Sequence, residues 1–286
     1  MSGSGKPAIV VGADGSGWSE AALDWAADEA SRLRASVLVV HAFQWPVMGV
    51  PLTGVPARYD PRETVRRMVA EAVARVRSAG VPVEGRVESG APAACLLAAG
   101  RGAAAIVVGN RGLGGFTGLL AGSVSVQLAE HAPCPVVVVR PNAAIPADAP
   151  VVLGVDPPGS DRAACWAFAE AARRDVPLIA VHAWPVAGGA PPDLGDPDEE
   201  SEAERIYEML RRWHKEYPGV RLDGYDARGH PAAVLIDRAA DAQLAVVGAR
   251  GRGGFRGLLL GSTSQALVRH APCPVAVVPD TSDSAG

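Results

Sequence analysis

Two glycine-rich segments of this chain have almost the same sequence. Residues 109–123 read GNRGLGGFTGLLAGS, and residues 248–262 read GARGRGGFRGLLLGS. Each follows a short apolar run typical of a buried parallel strand, and each leads into a stretch with helical periodicity. A glycine loop between a strand and a helix leaves backbone N–H groups free to bind phosphate, and the helix N-terminus adds partial positive charge. The repetition predicts two copies of one domain, each with a site for the same ligand.

An aspartate follows the first apolar run of each half. Gly12 and Asp14 in the first half recur as Gly154 and Asp156 in the second. In an open parallel sheet, ligands bind beyond the C-terminal ends of the strands, where the winding reverses. If the first and fourth strands are neighbours, the aspartate and the glycine loop of each half meet in one crevice. Chain order alone leaves open which strands flank that point.

The elements that must position these residues alternate between strand and helix. In the first half the pattern predicts strands at 8–12, 37–42, 81–87, 104–109 and 135–139, and helices at 19–33, 64–78, from Pro92, and at 123–131. In the second half it predicts strands at 151–155, 178–183, 220–227, 244–248 and 274–278, and helices at 161–173, 200–217, 231–240 and 262–270. This alternation predicts an α/β fold of two tandem, doubly wound, open, parallel five-stranded sheets, which is Rossmann-like.

The chain length fits about two domains on a prior of roughly 100–200 residues each. We expect a first domain at residues 1–141, a linker rich in proline and alanine at 142–150, and a second domain at 151–286. The last strands, PVVVV and PVAVV, are apolar, so as sheet edges they need covering. Pairing between the two halves or between two chains would provide that cover.

Composition and charge argue against several classes of protein. The net charge of −4 gives no general electrostatic case for binding nucleic acid or an anionic membrane. We see neither a signal peptide nor an apolar run long enough to span a bilayer. The four cysteines form no CxxC pair, which argues against a disulfide framework or zinc site and fits a reducing compartment. The sequence therefore predicts a cytoplasmic protein with no nucleic-acid or membrane partner.

The loops match neither common phosphate-binding motif. The Gly-Lys-Ser/Thr ending of a P-loop is absent, and no GxGxxG follows the first strand. The glycines are instead separated by two and then nine residues, and a serine follows the third. This spacing resembles the G-x2-G-x9-G-S/T signature of ATP-binding members of the universal stress protein family. The aspartate after strand one, the VHA ending of strand two and the APCPV entry to the last strand extend the resemblance over nearly the whole chain.

The resemblance implies two fused domains of the adenine nucleotide alpha hydrolase-like type, with one ATP in each. It places ribose or phosphate near Asp14 and Asp156 and the adenine against Ala42 and Ala183. Phosphate would take N–H and hydroxyl groups of the loops, with a charge-assisted contact from an arginine. The implied nucleotide-binding residues are Gly12, Asp14, Ala42, Gly109, Asn110, Arg111, Gly112, Gly122 and Ser123, then Gly154, Asp156, Ala183, Gly248, Ala249, Arg250, Gly251, Gly261 and Ser262. Mg²⁺ would be held by the phosphates and Asp14; neither a protein metal site nor a catalytic residue is predicted.

Structural roles compete with these assignments. Ser123 and the aspartates can be helix caps, and the histidines at 41 and 182 are expected to be hydrogen-bonded core residues rather than catalytic bases. We expect His131 and His270 at helix ends, Cys134 and Cys273 buried, and the acidic run 193–204 as a solvated loop leading into a helix.

Pro157 and Pro158 follow Asp156 and remove two N–H donors, which predicts unequal sites.

The leading hypothesis is an ATP-binding regulatory protein of the stress response that binds without turnover. The sequence shows no P-loop lysine, no paired carboxylates for two metals and no base placed to activate water. Two alternatives remain: a slow ATPase or nucleotidyl-transferring enzyme, and a scaffold that binds no nucleotide. The fused halves should mimic a homodimer, and two chains are expected to associate further.

Overall fold

Strands and helices alternate through the computed structural model, which describes residues 8–43, 61–113, 121–141, 145–156, 159–184, 197–251 and 260–280. The strands are β1 (Ala8–Gly12), β2 (Ser36–Phe43), β3 (Val83–Ser89), β4 (Ala105–Gly109), β5 (Val136–Val139), β6 (Val151–Gly154), β7 (Leu178–Trp184), β8 (Leu222–Arg228), β9 (Leu244–Gly248) and β10 (Val275–Val278). The helices are α1 (Gly17–Leu33), α2 (Pro61–Ser78), α3 (Pro92–Ala99), α4 (Ser123–His131), α5 (Asp161–Arg174), α6 (Pro197–Glu216), α7 (Pro231–Arg238) and α8 (Ser262–His270).

The predicted elements are all present, and their ends differ from the prediction by a few residues at most. The helices α2 and α6 begin earlier than predicted, at Pro61 and Pro197, because proline is tolerated in the first turn of a helix. The predicted helix at 231–240 is α7 followed by a short 3-10 turn at Ala239–Asp241. The strands β4 and β9 confirm the prediction that a buried apolar strand precedes each glycine loop.

Strand order confirms two doubly wound halves. Along the sheet the strands run β3-β2-β1-β4-β5-β10-β9-β6-β7-β8, and all neighbours within each half are parallel. The winding reverses between β1 and β4 in the first half and between β6 and β9 in the second. In each half, the strand before the glycine loop therefore lies beside the strand before the aspartate, which is Asp14 or Asp156. The ligand-binding hypothesis requires this arrangement.

The two halves share one ten-stranded sheet because their last strands pair with each other. The strands β5 and β10 are antiparallel, with Val137 opposite Ala276 at the centre of the register. Every residue of both strands is buried. Of the two expected ways to cover these apolar edges, the structure shows pairing between the halves of one chain.

The apolar core lies in two layers, one on each face of the sheet. Residues of α1, α2, α5 and α6 pack on one face, with Phe168 as the largest fully buried side chain. Residues of α3, α4, α7 and α8 pack on the other face around Leu128 and Leu267. Successive residues of β5 and β10 point into alternate layers, so both layers continue from one half into the other.

A buried ionic cluster joins α1 of the first half to α5 of the second. The carboxylates of Glu29 and Glu170 are each 1% exposed. Arg174 bridges them, with Nη2 2.6 Å from Glu29 Oε2 and Nε 2.9 Å from Glu170 Oε2. Arg173 also contacts both carboxylates. Burial, followed by the neighbouring negative charge of Glu170, raises the pKa of Glu29 to about 7.

This raised pKa makes the stability contribution of Glu29 depend on pH. Because the folded protein holds the proton more tightly than the unfolded chain, the contribution is full below the ordinary pKa of 4.5 and is lost as pH rises through about 7. We therefore expect Glu29→Gln to become more stable relative to wild type between pH 5 and pH 8, by on the order of 2–3 kcal/mol. Urea unfolding at several pH values measures this difference.

Glu71→Gln is the matched control, since Glu71 is an exposed carboxylate on α2 that faces Arg67. Its unfolding curve should follow that of wild type at every pH. If the stabilities of Glu29→Gln and wild type stay parallel from pH 5 to pH 8, the proton at Glu29 is not linked to folding.

Candidate functional site

In the first half, one carboxylate connects the two sides of the crevice. Asp14 follows β1, and its Oδ2 accepts a hydrogen bond from the backbone N–H of Leu113, at 2.9 Å, in the loop after β4. Its Oδ1 accepts from the backbone N–H and the hydroxyl of Ser16, at 3.0 and 2.6 Å. The aspartate and the glycine loop therefore converge in the first half, because β1 and β4 are neighbours.

Asp14 orients the residue that caps α1 but does not cap the helix itself. The N-cap of α1 is Ser16, whose hydroxyl accepts from the backbone N–H of Ser19 at 3.2 Å. The alternative that Asp14 itself caps the helix is wrong, since it lies two residues further upstream and orients Ser16. Burial raises the pKa of Asp14, but the hydrogen bonds from Ser16 and Leu113 outweigh it, so the pKa lies below its usual value.

In each half, one glycine allows the loop to approach the aspartate. A Cβ at Gly112 would overlap Oδ2 of Asp14, and a Cβ at Gly251 would overlap Oδ2 of Asp156. The second crevice is therefore assembled from the same pair of residues as the first. With any other residue type, either the loop or the carboxylate would have to shift.

The turn after β6 differs from the turn after β1. The backbone N–H of Asp156 donates to the hydroxyl of Ser160 at 2.7 Å, and that hydroxyl donates to the carbonyl of Asp156 at 3.0 Å. Ser160 occupies the N-cap of α5, so Asp156 does not cap this helix either. Pro157 and Pro158, the basis for predicting unequal sites, lie outside the described residues, as do the loop centres at 114–120 and 252–259.

The helices after the glycine loops begin without a capping side chain. Gly122 and Gly261 occupy the N-cap positions of α4 and α8, and no side chain of the described residues caps either helix. Ser123 and Ser262 are the first helical residues and are exposed, so the alternative that Ser123 is only an N-cap is wrong. Backbone N–H groups at the start of each helix are thus left to another acceptor.

Sequence reasoning missed a second serine in each helix. Ser125 and Ser264 are buried, and their hydroxyls donate to the carbonyls of Gly122, at 2.8 Å, and Gly248, at 2.6 Å. These hydrogen bonds tie the helix N-terminus to the loop. The signal was present, because a serine stands two residues after the loop serine in both copies.

The first loop glycine is followed by Asn110 in the first half and by Ala249 in the second. An arginine comes next in both halves. Asn110 is buried, and its carbonyl accepts from the N–H of Gly122 at 2.7 Å; Ala249 accepts in the same way from Gly261 at 2.8 Å. The guanidinium of Arg111 lies over the ring of Trp18, 5.8 Å from its centroid. Its Nε is buried and has no hydrogen-bond partner among the described residues.

One histidine lies near the end of the second strand in each half, and its ring is bonded to the backbone. The Nδ1–H of His41 donates to the carbonyl of Ala13 at 2.7 Å, and that of His182 donates to the carbonyl of Val155 at 2.8 Å. Both rings thereby tie the second strand to the turn after the first. The prediction that both are hydrogen-bonded is confirmed; His182 is also buried as predicted, whereas His41 is half-buried.

Part of the acidic run is buried, contrary to expectation. Glu202 lies in α6, is 6% exposed, and places Oε1 3.1 Å from Nε2 of His182. The expectation that the run is solvated is therefore wrong for this residue, because the predicted helix turns it toward a buried imidazole. Residues 193–196 of the run lie outside the described residues. Trp184 packs edge-on against His182, with ring centroids 4.4 Å apart.

The adenine-facing candidates lie at strand ends. Ala42 and Ala183 precede the last residues of β2 and β7. Gly12 and Gly154 end β1 and β6, where a Cβ would press on Leu96 and Leu235 of the underlying helices. Their lack of a side chain is thus explained by helix packing.

The remaining repeated residues have structural positions. His131 ends α4 and places Nδ1 3.0 Å from the carbonyl of Gln127, and His270 ends α8. Cys134 and Cys273 are buried, and burial raises the pKa of each thiol to about 12. Both predictions are confirmed.

Comparison with known proteins identifies the fold and family. The model of the universal stress protein family matches residues 7–140 and 149–279. The chain belongs to the universal stress protein family. It is similar to a universal stress protein of Mycolicibacterium smegmatis, 38% identical over 284 residues covering 94% of this chain and 96% of that one. It is also similar to universal stress protein Rv2623 of Mycobacterium tuberculosis, 36% identical over 290 residues, with 96% and 97% covered.

A solved structure has the same fold over nearly the whole chain. The universal stress protein from Archaeoglobus fulgidus DSM 4304 superimposes with a TM-score of 0.73 over 96% of this chain and 99% of that chain. At 21% identity, this likeness shows the fold alone. Among the described residues, no helix is long and apolar enough to cross a membrane.

The contact between Asp14 and Leu113 predicts a measurable effect on the glycine loop. Asp14→Ala removes the charged acceptor, so we expect the amide hydrogen of Leu113 to exchange with solvent about tenfold faster or more. Asp24→Ala is the control, since it removes an exposed ion pair between α1 and Arg75 and leaves the loop intact. Equal exchange at Leu113 in both variants would show that Asp14 does not hold the loop.

Proposed function

We propose that this universal stress protein binds one adenine nucleotide, ATP, in each of its two crevices and acts as a regulatory protein. The observation that carries the proposal is the meeting of three features in each half. A glycine loop of the family spacing lies against an aspartate, and it leads into a helix whose N-terminus is capped by no side chain in the part of the chain that the structure describes.

The phosphate end of the ligand fits the start of α4 and α8. Helix N-terminal N–H groups without a cap bind anions well, because their hydrogen bonds and the helix dipole act together. The exposed hydroxyls of Ser123 and Ser262 add a donor at each helix start. In the first crevice the unpartnered Nε of Arg111 supplies a further donor and a positive charge.

The ribose end fits the aspartates. Oδ2 of Asp14 accepts one hydrogen bond from the protein, and a carboxylate oxygen can accept two, so it retains capacity for a ribose hydroxyl. The small side chains of Ala42 and Ala183 leave room for a flat base beside the strand ends. In this proposal Gly12 and Gly154 contribute backbone only.

Magnesium would arrive with the phosphates. Among the described residues, no group of three or more histidine, cysteine, aspartate or glutamate side chains could hold a metal ion. A Mg²⁺ bound to triphosphate oxygens would neutralise part of their charge, with Asp14 as a carboxylate in reach of the loop.

Binding without turnover is the mode that the side chains support. Asp14 accepts three hydrogen bonds from the protein, and both histidines donate Nδ1–H to backbone carbonyls. These groups fix the loop and the turn instead of standing ready to move a proton. Nucleotide binding would then order the loops and alter the surface that the protein presents to partners.

The domain bounds and the association of chains belong to the same proposal. We assign one domain to residues 1–141 and one to 151–286, with the β5–β10 pair acting as a dimer interface within one chain. The outer edges of the sheet are β3 and β8, whose residues are mostly exposed. Analytical ultracentrifugation of the purified protein, with and without ATP, tests whether two chains associate further.

The test of nucleotide binding is a stoichiometry. Nucleotide released from freshly purified, heat-denatured protein should be adenine nucleotide at about two moles per chain, one for each crevice. Gly112→Val should reduce this to about one, because the new side chain collides with Asp14. Calorimetric titration of nucleotide-free protein with ATP measures the same two sites directly.

Matched variants separate binding from folding. Gly224→Ala places a Cβ in open space and should retain both sites. Ser123→Ala removes one hydroxyl and should weaken one site by about fivefold to tenfold without disturbing the fold. If no nucleotide is released and calorimetry detects no heat at millimolar ATP, the protein is a scaffold and the proposal fails.

A further inference from the structure

The peptide unit that leads into Asp156 is held from both sides. The carbonyl of Val155 accepts a hydrogen bond from Nδ1–H of His182 at 2.8 Å, and the backbone N–H of Asp156 donates to the hydroxyl of Ser160 at 2.7 Å. The N–H of Val155 also donates to the carbonyl of Val181 at 2.9 Å. The imidazole of His182 therefore helps to set the direction in which the chain leaves β6 toward the second crevice.

The other side of the His182 ring faces a buried carboxylate. Oε1 of Glu202, which lies on α6, is 3.1 Å from Nε2 of His182. Both residues are buried, and the ring of Trp184 packs edge-on against the imidazole. Because burial keeps water away from the pair, an attraction between opposite charges is only weakly screened here.

The two neighbours of the imidazole determine where its protons lie. The carbonyl of Val155 can only accept a hydrogen bond, so Nδ1 of His182 carries a proton. An ionised Glu202 likewise only accepts, so an unprotonated Nε2 would place two lone pairs against each other. The Nε2–Oε1 contact is not aligned as a straight hydrogen bond, but Coulomb attraction does not need that alignment. The geometry therefore favours an imidazolium ring with a proton on both nitrogens.

The first half has the same histidine without a buried carboxylate at the equivalent helical position. Nδ1–H of His41 donates to the carbonyl of Ala13 at 2.7 Å, so this ring also holds the peptide unit before Asp14. Glu63 on α2 corresponds to Glu202, since both stand 17 residues before the Gly-Val pair that follows their helix. Glu63 is exposed, whereas Glu202 is buried. The chain thus offers an internal comparison for the role of the carboxylate.

A charged ring holds the Val155 carbonyl more firmly than a neutral ring. Hydrogen bonds from an ionised donor are shorter than those between neutral groups and about twice as strong. The residue after this carbonyl is Asp156, and the glycine loop approaches its carboxylate so closely that a Cβ at Gly251 would overlap Oδ2. The bond from His182 therefore acts on the carboxylate against which the loop lies.

We propose that Glu202 keeps His182 protonated, and that the charged ring positions Asp156 for ligand binding in the second crevice. Both act through the backbone carbonyl of Val155, so they are positioning residues. The inference rests on the proposed nucleotide-binding function and deepens it, since it names the side chains that orient the aspartate of the second site.

Ring 15N NMR of the full chain tests the protonation directly. In wild type at neutral pH, both ring nitrogens of His182 should carry a proton. Glu202→Gln keeps the shape of the side chain but removes its charge, so Nε2 should lose its proton while Nδ1–H stays bonded to Val155. A carboxylate that served only to fill space would leave the ring protonation unchanged. An unprotonated Nε2 in wild type would overturn the inference.

Hydrogen exchange and calorimetry measure the consequence for the crevice. In Glu202→Gln, the amide hydrogen of Asp156 should exchange about fivefold to tenfold faster, and the second crevice should bind ATP about threefold to tenfold more weakly. Gly112→Val as a background removes the first crevice and leaves the second to be measured alone. Glu63→Gln is the matched control, since it makes the same change at the exposed equivalent position, and it should leave exchange and both affinities unchanged.

The outcomes separate this inference from the proposed function. If Glu202→Gln matches wild type in ring protonation, Asp156 exchange and second-site affinity, the inference is wrong and nucleotide binding stands. If Glu202→Gln fails to fold, the wild-type ring spectrum still decides the protonation, and His182→Asn, which keeps an amide donor without the charge, tests the positioning. If wild type binds no nucleotide, the proposed function fails, while the ring spectrum and Asp156 exchange still show whether the pair positions the turn.

Discussion

The antiparallel pairing of β5 with β10 is the interaction on which the rest of the molecule depends. Each half alone would end in a strand of four buried valine or alanine residues with one open edge. Pairing the two edges satisfies their backbone groups and joins both apolar layers into continuous cores. It also brings α1 against α5, which places two glutamates and two arginines in a buried cluster. This cluster links the two halves through contacts between α1 and α5.

Much of this architecture could be predicted from sequence, because the strands are apolar throughout and the helix starts carry strong local signals. The helices α4 and α8 match the prediction at both ends: each follows a glycine that ends the loop, and each stops where Ala-Pro follows shortly after. The strand order could not be predicted, since neighbours in a parallel sheet are set by crossovers and not by local pattern. The approach of Asp14 to Leu113 was therefore conditional on that order until the structure supplied it.

Buried charge was the main feature that local patterns could not reveal. Glu29 lies on the apolar face of α1, and its partner Arg174 lies in the other half of the chain. Glu202 belongs to an acidic run that is typical of a solvated segment, yet helix α6 directs it to His182. In both cases the decisive partner lies in another element of the chain, so local patterns could not indicate the contact. The buried serines of α4 and α8 were predictable in principle, because both copies carry them at the same offset.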